Sequence, residues 1–147
     1  MNSAPDIPSP ALPAPADHSP PPPAPPRVRD LSAAELGRVG EDLAARRLAQ
    51  LGWTVLERNL RLTRGELDII ALDGTTLVFA EVKTRRTFVT GAPQAAVDHR
   101  KLARLRRLAG EYLISASIPH RDVRIDVIAI HAHVDGTFAL EHLQAVI

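Results

Sequence analysis

The 147-residue sequence predicts a mixed α/β sheet with helices on its faces, in the order helix, three strands, helix, two strands. Three observations predict this fold. Two stretches repeat apolar residues at a helical period, and a hairpin between them is apolar on both faces, as strands near the middle of a sheet are. The second helical stretch also separates the third strand from the fourth, which permits a parallel crossover.

Residues 1–29 precede these elements and hold 11 of the 13 prolines among alanine, serine and few large apolar groups. Such a segment buries too little apolar surface to offset its ordering entropy, so a disordered, partly polyproline-II tail is expected there, either simply solvated or offering a PxxP ligand. It lacks the basic start and apolar run of a signal peptide. Residues 30–147 are expected to form a single domain.

Ser32-Ala-Ala-Glu35 has capping-box spacing, so a helix should start there. Leu36, Val39, Leu43, Leu48 and Leu51 form its stripe and Gly52 suits its end, which predicts a helix from about Ala33 to Leu51. Glu41 sits at the edge of that stripe, where it either leans into a cleft or is solvated. Trp53 to Glu57 reads as a short strand, and Arg58 to Arg64 as a basic connection. The hairpin occupies roughly Glu66 to Thr84 around Asp73-Gly74. Its expected second face carries Leu67, Ile69, Ala71, Val78, Ala80 and Val82. Pro93 opens the next helix, whose stripe runs from Val97 through Leu102, Leu105, Leu108 and Ala109 to Tyr112 and Leu113. Val123 to Ile130 alternates as a fourth strand, and Asp135-Gly136 turns the chain into a fifth from about Thr137 to Leu143.

The chemistry concentrates in the hairpin. Period-two alternation puts Glu66, Asp68 and Ile70 on one face of its first strand, and Leu77, Phe79, Glu81 and Lys83 on one face of its second. Register decides whether the charges meet. A two-residue turn at Asp73-Gly74 sets Glu66 opposite Glu81, and a four-residue loop from Asp73 to Thr76 sets Asp68 opposite Glu81. A three-residue loop would separate them, because a one-residue slip exchanges the faces of a strand. Hard divalent cations such as Mg²⁺ take one or two carboxylates and keep several waters. Asp68, Glu81 and the Val82 carbonyl are candidate ligands, and Lys83 is placed to orient water or stabilise charge on a phosphate. The bland alternative is a salt bridge from Lys83 to Glu81 or Glu66 on a sheet surface.

Charge points to a polyanionic partner. From Arg85 to Arg107 there are seven basic residues and one acid, Asp98, a local charge of +6. Arg61, Arg64, Arg85, Lys101, Arg104 and Arg107 are the candidate nucleic-acid contacts, against the alternative of solvated cations. Aromatic content of 3% argues against base stacking as the main binding mode. The absence of cysteine excludes disulfides and thiolate metal sites and fits a cytoplasmic location. No stretch is apolar for long enough to predict a membrane span, and no small-molecule cofactor is implied. His131 and His133 share a strand face, but no third ligand has a spacing that would complete a zinc site.

The residues Gly37 to Glu41 and Ala44, Asn59 and Arg61, G-E-L-D-I-I, F-A-E-V-K-T-R, then Gly91, Pro93, Lys101, Ala109, Tyr112 and R-I-D-V resemble the YraN family of uncharacterised bacterial proteins. That family is similar in turn to the PD-(D/E)XK nuclease superfamily, especially archaeal Holliday-junction resolvases. The resemblance covers about Leu31 to Leu143 and omits the proline-rich tail. It implies a restriction-endonuclease-like sheet and Mg²⁺- or Mn²⁺-dependent hydrolysis of DNA phosphodiesters, branched DNA included. Asp68 and Glu81 would bind metal, Lys83 would be the catalytic lysine, Glu41 the additional helix acid, and Glu66 a neighbour without an assigned role. Junction resolution would further favour a homodimer, since two symmetric cuts need two sites. The alternative is a noncatalytic nucleic-acid-binding or assembly module built on the same fold.

Overall fold

A computed structural model of the chain describes residues 27–87 and 98–146. Almost all of the proline-rich tail lies outside the described residues, as do Gly91, Pro93 and Val97 ahead of the second helix. The elements are α1 (Ala33–Gln50), β1 (Thr54–Leu62), β2 (Gly65–Asp73), β3 (Thr76–Thr87), α2 (His99–Ser115), β4 (Asp122–His133) and β5 (Phe138–Leu143). They build one five-stranded sheet in the order β1-β2-β3-β4-β5, antiparallel except for the parallel β3–β4 pair. The expected order and mixed sheet are therefore present.

The ends of α1 follow from local chemistry. Ser32 Oγ accepts the Glu35 N–H at 3.2 Å and Glu35 Oε2 accepts the Ser32 N–H at 2.7 Å, so exposed amides of the first turn are satisfied. Gly52, at φ +84°, ends the helix in the left-handed conformation. A three-residue 3₁₀ turn at Val28–Asp30 precedes it. Val28 is buried with Leu36 and Ala132, and Arg86 donates to the Val28 and Leu31 carbonyls, so the folded unit begins slightly before Asp30. α2 starts at His99, later than Pro93, with the Asp98 carboxylate accepting the Arg100 N–H.

Two apolar layers sandwich the sheet. Ala44 and Leu48 of α1 pack with Trp53, Ile69, Ala71, Val78, Ala80 and Ile128. On the other side Leu102, Leu105 and Leu108 of α2 pack with Ile70, Leu77, Phe79 and Ile125. α1 lies close because Gly40 faces β3. A Cβ at Gly40 would overlap the Thr84 side chain, with Thr84 Cβ only 2.8 Å away. Gly40→Ala gains about 1 kcal/mol of helix propensity yet pushes against a β-branched side chain that is stiff at χ1, at a cost of roughly 1–3 kcal/mol. It is expected to lower the melting temperature, and Thr84→Ala added to it should restore most of the loss. Thermal melts of the wild type and the two variants check this, and an unchanged single variant would contradict the packing.

β1 is longer than the sequence pattern suggests. It runs to Leu62, so Arg58 and Arg61 lie within the strand and only Thr63 and Arg64 form the turn. Pairing with β2 outweighs the polar composition, and an edge strand tolerates charges facing water. Leu67 is a second departure. The Arg58↔Ile69 pair faces α1, where Arg58 meets Asp42 at 2.7 Å, whereas Leu60↔Leu67 packs on the α2 side. Strict alternation would keep both pairs on one side, so the pleat changes phase between them, at Asn59 and Asp68. Asn59 has φ +51°, a left-handed conformation that asparagine tolerates better than most residues.

A polar network is buried under the β4–β5 end of the α1 layer. Asp126 is fully buried and accepts from Arg124 Nε at 2.9 Å, His142 Nε2 at 2.8 Å and the Ala145 N–H at 3.0 Å. Arg124 also reaches Asp73 at 3.1 Å and stacks 5.0 Å over Trp53. Burial alone would raise the Asp126 pKa, but His142, Arg124 and the Ala145 N–H together hold it below the usual carboxylate value.

Candidate functional site

The β2–β3 hairpin closes with Asp73↔Thr76 around Gly74, and Leu72 faces Leu77. This is the register expected from the four-residue loop, tightened by one further pair. The ladder runs up to Ile69↔Ala80, and one more step in the same register sets Asp68 across from Glu81. There the backbone pairing gives way to a side chain. The Asp68 carboxylate accepts the Val82 N–H at 2.8 Å, filling the place of a ladder bond at the point where the pleat of β2 changes phase.

Burial pushes the Asp68 pKa up to about 7 from 3.8, the Val82 N–H pulls it down, and the charges of Glu81, Glu41 and Glu66 raise it further. β2, β3 and α1 thus each bring a carboxylate to bear on Asp68. Glu81 is only 7% exposed, and its charge is met from α2. Arg104 approaches its Oε1 at 3.4 Å and Lys101 at 3.8 Å. The alternative of a Lys83–Glu81 salt bridge gives way to these two cations, which sequence spacing marks only as nucleic-acid contacts. Lys83 lies beside them, lining a small cleft with Glu81, Asp98 and Lys101. Burial lowers its pKa, Lys101 and then Arg85 lower it further, and Glu81 opposes them.

The remaining expected residues are less concentrated. Arg61 is exposed and ion-paired with Glu66 at 3.7 Å, towards the outer end of the hairpin. Arg85 is exposed, two residues beyond Lys83 on β3. Arg64 and Arg107 lie with Arg104 around a separate cavity. Of Val82, the N–H rather than the carbonyl is seen at Asp68. Asn59 is the residue that sequence reasoning left without a role. Its signal in the sequence was its place, with Arg61, among the residues that carry the family resemblance.

All the acidic donors here are carboxylates, a hard oxygen set suited to Mg²⁺ or Mn²⁺ rather than to a thiolate-seeking metal. Among the described residues no three His, Asp or Glu side chains form a ready-made metal cage. Two carboxylates suffice for a cation that keeps its waters, and such a cation would offset both the burial that is the main cause of the raised Asp68 pKa and the neighbouring carboxylates that add to it.

A family model described as "Uncharacterised protein family UPF0102" matches residues 40–130. The chain belongs to this family. UPF0102 proteins of Beutenbergia cavernae and Streptomyces griseus are each 49% identical to it, over 76% of this chain and 94% of theirs. A UPF0102 protein of Moorella thermoacetica is 49% identical over 64% of this chain and 78% of its own. The UPF0102 match begins at Gly40, next to Glu41, and spans Asp68, Glu81, Lys83, Lys101 and Arg104. It is the family that the sequence motifs resemble. Among the described residues no helix is long and apolar enough to cross a membrane.

Proposed function

We propose that the protein is a Mg²⁺- or Mn²⁺-dependent endonuclease-like phosphodiesterase that acts in the cytoplasm on DNA, with branched or distorted DNA as its preferred substrate. The observation that carries this reading is Asp68. It is fixed by the Val82 N–H, follows the last ladder pair in the register that sets it across from the buried Glu81, and has a pKa raised to about 7 by burial and neighbouring carboxylates.

Asp68 and Glu81 would hold the cation, which supplies Lewis-acid polarisation of a phosphoryl oxygen. The Val82 N–H keeps the Asp68 carboxylate oriented before any substrate arrives, so no reorganisation is needed at the reacting centre. Lys83, with its pKa lowered by burial and by Lys101, gives up or shares a proton more readily than a free lysine. It is suited to orient the attacking water or to stabilise charge growing on the phosphate. Glu41 on α1 would assist from the opposite wall of the site. Arg85, Arg61 and the α2 cations would hold the strand through its phosphates. A four-way junction would require two such sites in a two-fold dimer.

One observation favours a second reading, a noncatalytic nucleic-acid-binding or assembly module. Glu81 already has two internal cations, Lys101 and Arg104. A panel of duplex, single-stranded, flap and four-way-junction DNA, incubated with and without Mg²⁺ or Mn²⁺, separates the two. Cleavage should require the metal and fall at least about a hundredfold in Asp68→Ala, Glu81→Ala and Lys83→Ala. Salt-sensitive binding without cleavage, indifferent to Asp68→Ala, would establish the module instead.

A further inference from the structure

A cavity of about 480 Å³ opens between the β1–β2 turn and α2, lined by Arg64, Arg104, Arg107, Leu108 and Glu111. Three guanidinium groups border it against one carboxylate, and that carboxylate is already engaged. Glu111 accepts from the Thr63 N–H at 2.8 Å and from the Thr63 hydroxyl at 2.5 Å. Arg107 spends its Nε on the Ala103 carbonyl at 3.3 Å, which leaves its terminal nitrogens for other partners. Arg104 Nε is buried and has no hydrogen-bond partner among the described residues, while the NH2 of the same guanidinium reaches Glu81. The Arg104 Nε is thus enclosed, and it is the exposed remainder of the guanidinium, over two-fifths of the side chain, that can meet a ligand in the cavity. The floor is apolar. Leu108 lies under Gly65, where an added Cβ would meet it at 3.2 Å.

We propose that this cavity is a phosphate-binding pocket for a nucleic-acid strand running past the carboxylate site, held by Arg64, Arg104 and Arg107. Planar guanidinium forks match the paired oxygens of a phosphate, and the Leu108 floor suits the apolar side of the attached sugar. The proposal rests on the reading that nucleic acid approaches Asp68 and Glu81, and it deepens that reading by naming where a second phosphate is gripped. Two sources share the chemistry, a backbone phosphodiester and a terminal 5′-phosphate. Arg104 touches both this pocket and Glu81, so strand binding and the charge on the site carboxylate are joined through one side chain.

The test is fluorescence anisotropy of a short single-stranded oligonucleotide, carrying either a 5′-phosphate or a 5′-hydroxyl, titrated with the full chain in EDTA at several salt concentrations. No metal and no cleavage enter, so failure here is distinct from failure of the nuclease reading. Arg64→Ala/Arg107→Ala is expected to weaken binding about tenfold and to reduce the salt slope by about 1.4, or about 0.7 for each lost contact to a single strand. Arg46→Ala/Arg47→Ala removes the same charge from exposed positions on α1 and should change affinity less than about twofold. Tighter binding of the 5′-phosphorylated strand, lost in the pocket variant, assigns the pocket to a strand end, while equal binding of the two strands, weakened equally, assigns it to backbone phosphates. The pocket variant binding like the α1 variant, or the wild-type chain binding neither strand, would overturn the proposal.

Discussion

Asp68→Asn is expected to make the fold more stable above neutral pH while abolishing its response to Mg²⁺. The Asp68 carboxyl is raised from 3.8 to about 7, first by burial and then, against the Val82 hydrogen bond, by the charges of Glu81, Glu41 and Glu66. A carboxyl whose folded pKa lies above its unfolded value is more easily ionised in the unfolded chain. Its contribution to stability is therefore intact below about pH 4 and is lost as pH rises towards 7. A gap of about three units corresponds to at most about 4 kcal/mol, and partial exposure brings it to the order of 2 kcal/mol. Asparagine keeps an oxygen for the Val82 N–H and carries no charge, so it escapes that loss. Thermal unfolding from about pH 5 to pH 8 should show the wild type falling below the variant, with Mg²⁺ closing the gap by binding the folded state alone. Identical pH profiles, or a metal response that survives in the variant, would refute the placement of charge at this site.

Asp126→Ala carries the largest expected loss, about 3–5 kcal/mol, because it leaves Arg124 and His142 in a buried setting without their shared acceptor. For a domain of this size that lowers the melting temperature by at least about 10 °C. The pH dependence has the opposite sign to that of Asp68. Here the folded pKa is depressed, so the stabilisation is present above about pH 4 and disappears as pH falls through the folded value. Buried ionic groups replaced together by apolar ones are often tolerated, so Arg124→Met/Asp126→Leu should recover part of the loss. Differential scanning calorimetry of both variants decides the matter. A single variant as stable as the wild type would mean that the network contributes nothing.

The hairpin was readable because two local signals agreed. Asp73-Gly74 marked the turn, and alternation around it left only registers that set Asp68 and Glu81 on one face or separate them entirely. The capping box and the α1 stripe were equally local. What escaped the sequence depends on partners distant along the chain. Glu81 meets Lys101 and Arg104 only once α2 has crossed the sheet, so spacing could mark the cations as a basic surface but not as counter-charges. Leu67 changes sides because Asn59 on the neighbouring strand adopts φ +51°, a choice no alternation pattern encodes. Asp126 looked like an ordinary polar position of an alternating strand, since two of its partners, His142 on β5 and the Ala145 N–H beyond it, are distant in sequence. The described α2 starts at His99 because the Asp98 carboxylate caps it, a signal that the apolar stripe beginning at Val97 does not reveal, while Pro93 itself lies outside the described residues.

The parallel pairing of β3 with β4 also sets an order of assembly. The hairpin ladders join residues near in sequence, whereas every β3–β4 pair joins residues on either side of the whole α2 crossover. Loop-closure entropy makes such distant contacts late ones. A chain emerging during synthesis therefore has Asp68 and Glu81 on a formed hairpin before Lys101 and Arg104 exist to meet them. The carboxylates gain their counter-charges only once α2 has packed on the hairpin. The hairpin therefore carries both carboxylates before the chain has supplied the cations that neutralise Glu81.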